Sequence, residues 1–182
     1  MTVAVPSRIV WIDTETTGLE PDARLLEVAC IITDFEFTEI AEPYTEVIHA
    51  PRRALRKLDP YVRNMHTQSG LIYEVPHARR MKDVEDSLLH YIQTYVPDAR
   101  TAPLGGSSIH VDRVWLQHNM PRIVDHLHYR LIDVSTIMQF ARVWYPDQMA
   151  AHPVPTGGHR ALGDIRDSIA SMRYYRQIAF RD

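Results

Sequence analysis

One cysteine, no surplus of positive charge and no long apolar run together bound what this 182-residue chain can be. Cys30 has no second thiol to pair with, which excludes an internal disulfide and a thiolate zinc cluster and fits a reducing compartment. It lies in a strand-like stretch and reads as a small buried apolar residue. No apolar run approaches the roughly 20 residues that cross a bilayer. The start Met1-Thr2-Val3-Ala4-Val5-Pro6 carries neither a charged nor an apolar leader region. A cytoplasmic location without membrane contact is expected. Lys and Arg number 20 against 23 Asp and Glu, a net charge of −3, whereas proteins that grip long nucleic acid neutralise many phosphates with basic side chains. The clusters Arg52-Arg53 with Arg56-Lys57, and Arg79-Arg80 with Lys82, are balanced by acids elsewhere and read as solvated faces. Any nucleic-acid substrate is therefore expected to be short.

With 45% hydrophobic and 24% charged residues, the chain has the composition of a globular protein, and its length suits one domain, residues 1–182. Arg8 to Glu15 is an apolar run that reads as a strand. A second run, Arg24 to Phe35, carries Leu26, Val28, Ile31 and Ile32 for a sheet interior, and a third, Tyr44 to His49, completes an antiparallel start. Pro51 and Pro60 punctuate short helices up to about Tyr73. From Lys82 to Val96 the residues Val84, Leu88, Leu89, Ile92 and Tyr95 recur at helical spacing and predict one buried face. A short strand at Ala102-Pro103-Leu104 runs into Gly105-Gly106-Ser107-Ser108. Asp112 to Asn119 reads as helix, Pro121 suits the first turn of another, and Leu131-Ile132-Asp133 is a brief strand before a helix over Ser135 to Trp144. Residues 147–158, with Pro153, Pro155 and a Gly pair, read as loop; the last helix presents Leu162, Ile165, Ile169 and Met172 to the core. Strands first and interleaved helices later predict an α/β domain around a mixed sheet.

The chemistry-bearing residues are acids. Asp13 and Glu15 stand two apart at the end of the first strand, so alternation projects both carboxylates from one face. Two like charges so placed call for a cation, and hard ions such as Mg²⁺ or Mn²⁺ take oxygen ligands. Asp112 stands at a helix start and Asp164 in the first turns of the last helix. His159 follows a flexible Gly pair, and because five residues of continuous helix would rotate it away from Asp164, it belongs on the loop. Taken singly, each has an ordinary explanation: a solvated strand end, a helix cap, dipole compensation, a surface histidine.

In this order, Asp13, Glu15, Asp112, His159 and Asp164 resemble the site residues of the DEDDh exonucleases. Within that family the chain is similar to the oligoribonuclease branch, from about Val10 to Tyr175, nearly its whole length. The specific blocks are Trp11-Ile12-Asp13 with Thr17-Gly18-Leu19, His66-Thr67-Gln68-Ser69-Gly70-Leu71, His128-Tyr129-Arg130-Leu131-Ile132-Asp133-Val134-Ser135-Thr136, and His159-Arg160-Ala161-Leu162. The resemblance implies a ribonuclease H-like mixed five-stranded sheet flanked by helices. It also implies two Mg²⁺ or Mn²⁺ ions per site held by the four acids, His159 as general base, and 5′-mononucleotides released from the 3′ end of dinucleotides and other short RNAs. By the same resemblance, Leu19 and Tyr61 bracket the bases and His66 lies near the 3′ nucleotide. Ser108, Arg130 and Ser135 cap the 5′ phosphate, with Tyr129 arriving from the neighbouring protomer of a homodimer. Proofreading or tRNA-trimming nucleases, which act on longer ends, and a non-catalytic nucleotide-binding module are the alternatives. The chain departs from the family pattern at Tyr61, where many relatives carry Trp, at Gly106 in place of a common Asn, and at Gly163 in place of an acid. Gly163 is expected to loosen the first turn of the last helix, because Gly costs about 0.5–1 kcal/mol relative to Ala there.

Overall fold

A computed structural model describes residues 6–180. Its centre is strand β1, Ile9–Thr16, flanked on one side by β2, Leu25–Thr33, and then β3, Tyr44–Val47. Three short helices follow, α1 at Arg52–Leu55, α2 at Pro60–Gln68 and α3 at Leu71–Glu74, then the long α4 at Met81–Tyr95. On the other side of β1 lie β4, Pro103–Gly106, and, beyond helices α5 at Ile109–Asn119 and α6 at Pro121–His126, β5 at His128–Asp133. Helices α7, Val134–Trp144, α8, Pro146–Met149, and α9, Ala161–Ala179, complete the chain. The sheet order is β3-β2-β1-β4-β5, antiparallel across β1, β2 and β3 and parallel across β1, β4 and β5. This is the mixed five-stranded sheet the resemblance implies.

Both faces of the sheet are covered, which is why β2 reads as a nearly unbroken apolar run and is buried along its whole length. Alternation in β1 divides the core in two. Val10 and Ile12 pack with Val28, Cys30 and Ile32 against Val84, Leu88 and Ile92 of α4 and Trp115 and Leu116 of α5. Ile9 and Trp11 point the other way, with Ala29 and Ile31, against Ile165, Ile169 and Tyr175 of α9. Continuing that period past Trp11 puts Asp13 and Glu15 on the α9 face and Thr14 on the α5 face.

Several boundaries differ from the sequence reading. The glycines of Gly105-Gly106 lie inside β4, Gly105 paired with both β1 and β5 and Gly106 with β5, where their low strand propensity had hidden them. β5 begins three residues early, because His128, Tyr129 and Arg130 form a polar edge strand without apolar alternation. α5 also begins three residues early, so Asp112 lies within its first turn rather than capping it. Tyr95 is exposed, since α4 ends there and its last turn runs past the sheet. The segment expected to be loop contains the single turn α8, started by Pro146. Leu162 and Met172 border the α9 core only partly buried, while Ala161 and Tyr175 are buried in it.

The indole of Trp11, fully buried, donates from Nε1 to Thr33 Oγ1 at 2.9 Å. Thr33→Val keeps the shape but orphans that donor. The expected cost is about 1–3 kcal/mol, read as a lower urea midpoint with unchanged slope; an unchanged midpoint would show that the bond contributes nothing net.

Candidate active site

Three elements converge at the far end of β1. Asp13 and Glu15 project toward the start of α9, where Asp164 occupies the first turn, and one carboxylate oxygen from each of the three lies within 4.8 Å of the others. Asp112 comes from the opposite face. Thr14, pointing toward α5, donates its backbone N–H at 3.1 Å and its hydroxyl at 2.7 Å to Asp112 Oδ1. The strand's period therefore explains why two helices on opposite faces of the sheet reach one edge: α9 meets the odd residues and α5 the even one.

Burial sets the electrostatics. Loss of hydration, with the charges of Asp112, Asp164, Glu15 and Glu27 added, holds the Asp13 carboxyl well above the ordinary carboxylate range. Glu15 is pushed up to about 8, first by burial and then by Asp164 and Glu27, with Arg160 pulling the other way. Asp112 is raised to about 6 by burial, against the lowering effect of its bonds with Thr14. Asp164 is raised by burial and lowered by the His159 charge. Buried carboxylates that cannot all ionise together, converging with hard oxygen donors, fit a divalent cation.

His159 is exposed on the loop before α9 in the left-handed conformation, φ 59°. Its neighbour Arg160 reaches back to β2, donating Nη2 to Glu27 Oε1 at 2.6 Å and Nε at 2.9 Å, and donates Nη1 to Glu74 of α3 at 2.9 Å. Ala161 N–H donates to Glu27 Oε2 at 3.0 Å.

Around this centre, Leu19 and Tyr61 are 84% and 73% exposed, each offering an apolar surface to solvent. Tyr61 owes its place to the start of α2, where Asp59 accepts from its N–H at 2.8 Å and Pro60 sets the first turn. His66 is 0% exposed. Its Nε2 donates to the Thr16 carbonyl at 2.8 Å, and its Nδ1 lies 3.8 Å from Glu15 Oε2 without a hydrogen bond. The expectation that His66 meets a nucleotide directly does not match this placement, because the ring presents no surface. Ser108 and Ser135 do come together. Asp133 Oδ1 accepts from both backbone N–H groups at 2.9 Å, and the two hydroxyls are 3.1 Å apart. Arg130 stands three residues before Asp133 on β5, roughly 10 Å along a strand. Its guanidinium lies over the Tyr129 ring, 5.6 Å from the centroid, and beside a cavity of about 610 Å³ that Arg8 and Arg100 also line. Within one chain Arg130 and Tyr129 are thus apart from the Ser108–Ser135 corner.

Residues 10–172 match the exonuclease family model RNase_T. Oligoribonuclease from Leifsonia xyli is 44% identical over 174 residues, covering 95% of this chain and 84% of that protein. The oligoribonuclease of Streptomyces coelicolor is also 44% identical, over 95% of this chain and 87% of its own length. The chain belongs to the oligoribonuclease family of exonucleases. Solved structures share the fold at low identity. Escherichia coli exonuclease I in complex with a dT13 oligonucleotide superposes with TM-score 0.72 at 16% identity over 93% of this chain, and exonuclease I from Methylocaldum szegediense with 0.70 at 18% over 94%. This chain spans 41% of each of those chains.

In this oligoribonuclease-family chain, sequence reading missed three contributors to the site. Thr14 gives no signal beyond its position between two acids. Arg160 was noted only inside a motif. Glu27 was discoverable: it is the one charged residue in Leu25–Thr33, and a buried charge requires a partner. No helix among the described residues is long and apolar enough to cross a membrane.

The raised carboxyls make stability depend on pH in a definite sense. With a chelator present, unfolded Glu15 releases its proton near the ordinary carboxylate range, about 4 to 4.5, and folded Glu15 near 8. Between those values the folded state holds more protons, so stability falls as pH rises. The urea midpoint is expected to be lower at about pH 8.5 than at about pH 5.5, and Mn²⁺ should restore it. A midpoint that rises over that interval would contradict the mutual repulsion of these acids.

Proposed function

We propose that this 3′-to-5′ exoribonuclease acts on very short oligoribonucleotides, dinucleotides above all, and releases 5′-mononucleotides. The convergence of Asp13, Glu15 and Asp164 within 4.8 Å, beside a loop histidine, carries this reading. Asp13, Glu15 and Asp164 would hold one divalent cation, with Asp13 shared and Asp112 supporting a second through the oxygen not tied to Thr14. Mg²⁺ or Mn²⁺ there would supply Lewis acidity, easing deprotonation of the attacking water and neutralising charge on the departing 3′ oxygen. His159 accepts the proton of that water, since an imidazole titrates near working pH. The exposed faces of Leu19 and Tyr61 bracket the bases; stacking on Tyr61 tolerates any sequence. His66, bonded to the Thr16 carbonyl, holds the turn near the 3′ nucleotide.

Length selection resides at the Ser108–Ser135 corner. The hydroxyl donors there, joined by a guanidinium, cap a 5′ phosphate and close the groove. The position of Arg130 on β5, three residues before Asp133 and beside Tyr129, supports its serving, like Tyr129, the corner of a second copy. An exposed apolar group on α7 supports a homodimer: Phe140 and Trp144 stack with centroids 4.6 Å apart, and Val143 is exposed with them. The net charge of −3 supports the same preference, because nothing offsets the repulsion of a long phosphate chain. With no membrane helix among the described residues, the cytoplasm is the compartment we infer.

The test mixes the protein with 5′-labelled RNAs of two, five and twenty residues, with Mg²⁺ or a chelator. Fastest loss of the dimer, abolished by chelation, is expected; equal rates at all lengths would remove the dinucleotide reading. Asp13→Ala should end turnover while the unfolding midpoint stays or rises, because a buried charge repulsion is relieved, and parental turnover would refute the metal assignment. Arg130→Ala should slow dinucleotides roughly 10- to 100-fold more than the longer oligomers, the worth of one charge-assisted phosphate contact; equal slowing argues against the cap.

A further inference from the structure

Residues 156–160 form a strap fastened at both ends. At its start Asp167 of α9 accepts from Thr156 N–H and Gly157 N–H, each at 2.7 Å, and from the Thr156 hydroxyl at 3.3 Å. At its end Arg160 is clamped between Glu27 and Glu74, and Ala161 N–H bonds the second oxygen of Glu27. Between the fastenings the strap lies directly on the first turn of α9. A Cβ on Gly163 would sit 2.6 Å from Gly157 Cα and 2.6 Å from its carbonyl oxygen, and a Cβ on Gly157 would sit 2.0 Å from Asp164 Oδ1. This contact needs glycine on both sides. It also corrects the expectation that Gly163 merely loosens the helix: the missing side chain is the space the strap occupies.

His159 lies between the contact and the clamp, and both it and Gly158 are left-handed, at φ 59° and 66°. A side chain with a Cβ does not hold that conformation unaided. We propose that the strap holds His159 beside the acids, and that Gly163 and Arg160 are positioning residues for it. Gly163 admits the strap, and Arg160 ties the residue after His159 to the strand that pairs with Glu15. Arg160 has a second effect. Glu15 and Glu27 are partners in the antiparallel register, so Glu27 faces the same side as the acids, and the guanidinium engages it in an ion pair away from them. The proposal rests on His159 as proton acceptor, and its test separates the two.

Gly163→Ala is the decisive variant because helix propensity alone favours Ala. A purely structural role predicts a change confined to the unfolding midpoint, where the clash with Gly157 opposes the gain in helix propensity, with parental turnover. Positioning predicts a fall in kcat of roughly 10- to 100-fold, the scale of a misplaced catalytic group, with KM within about twofold. In metal-free protein the His159 ring resonance should move toward that of a free histidine, and Mn²⁺ affinity by calorimetry should stay within about twofold. In a His159→Ala background the same substitution should cost less than about twofold, since nothing remains to be positioned. Arg160→Ala should lower kcat on the same scale, with an added fall in the unfolding midpoint because Glu27 is left buried without its partner, and Arg160→Lys should recover part of the rate, a point charge replacing a fork. Parental turnover in His159→Ala overturns the proton-acceptor reading and the proposal with it. A slow His159→Ala beside a Gly163→Ala of parental rate and unmoved resonance overturns the strap alone, as does a Gly163→Ala loss undiminished in the His159→Ala background.

Discussion

The two-residue period of β1 is the constraint on which the rest of the molecule depends. Ile9 and Trp11 are buried in the layer under α9 and Val10 and Ile12 in the layer under α4 and α5, so both faces are filled before the first acid is reached. A slip of one residue would drive an indole into space shaped for smaller side chains and send Asp13 and Glu15 to the wrong face. Apolar packing thereby sets the position of charged groups that contribute nothing favourable to it. The same alternation delivers Thr14 to α5, where it takes hold of Asp112.

Those charged groups oppose the fold in which they sit. Asp13, Glu15, Asp112 and Asp164 are all raised chiefly by burial, and for Asp13 and Glu15 the charges of Asp112, Asp164 and Glu27 add to the shift. A site prepared in this way binds cations because it is uncomfortable without them: neutralisation by a metal removes repulsion that protonation would otherwise have to relieve. Arg160 sets a limit to the discomfort. Without it Glu27, buried at 2% exposure, would be one more unpaired acid on the same face. Breaking such a pair by deleting one partner is costly because the survivor stays buried. The pair therefore serves the site electrostatically whatever it does for the strap.

What the sequence disclosed follows from range. Asp13 and Glu15 are legible because alternation is a local rule, and the apolar run before them states the register. The α4 face is legible for the same reason at helical spacing. The partnerships that build the site are not local: Thr14 and Asp112 are 98 residues apart, and Arg160 and Glu27 are 133 apart. No propensity encodes such a meeting; only the sheet order, with β4 beside β1 and β2 on its other side, brings them together. The β5 edge was underread because a polar strand looks like loop until its neighbour is known. Gly163 was misread because an absent side chain has meaning only when the atoms filling its place are known.

The fold by itself does not select a substrate. Exonuclease I structures superpose on this chain at TM-scores of 0.70 and 0.72 while being more than twice as long, so the common sheet and helices are compatible with very different surroundings. The proposed preference for short chains would then come from what lies at the rim, and the rim here is sparse. Leu19 and Tyr61 stand out into solvent on a turn and on a short helix, and the Ser108–Ser135 corner closes over the ends of α5 and α7. Each is a single contact point rather than a groove. In this arrangement an exposed Tyr129, 70% accessible, with Arg130 above its ring, has no role in its own site. In the proposed homodimer it would serve the corner of a second copy, which would make association a condition of the proposed length selection.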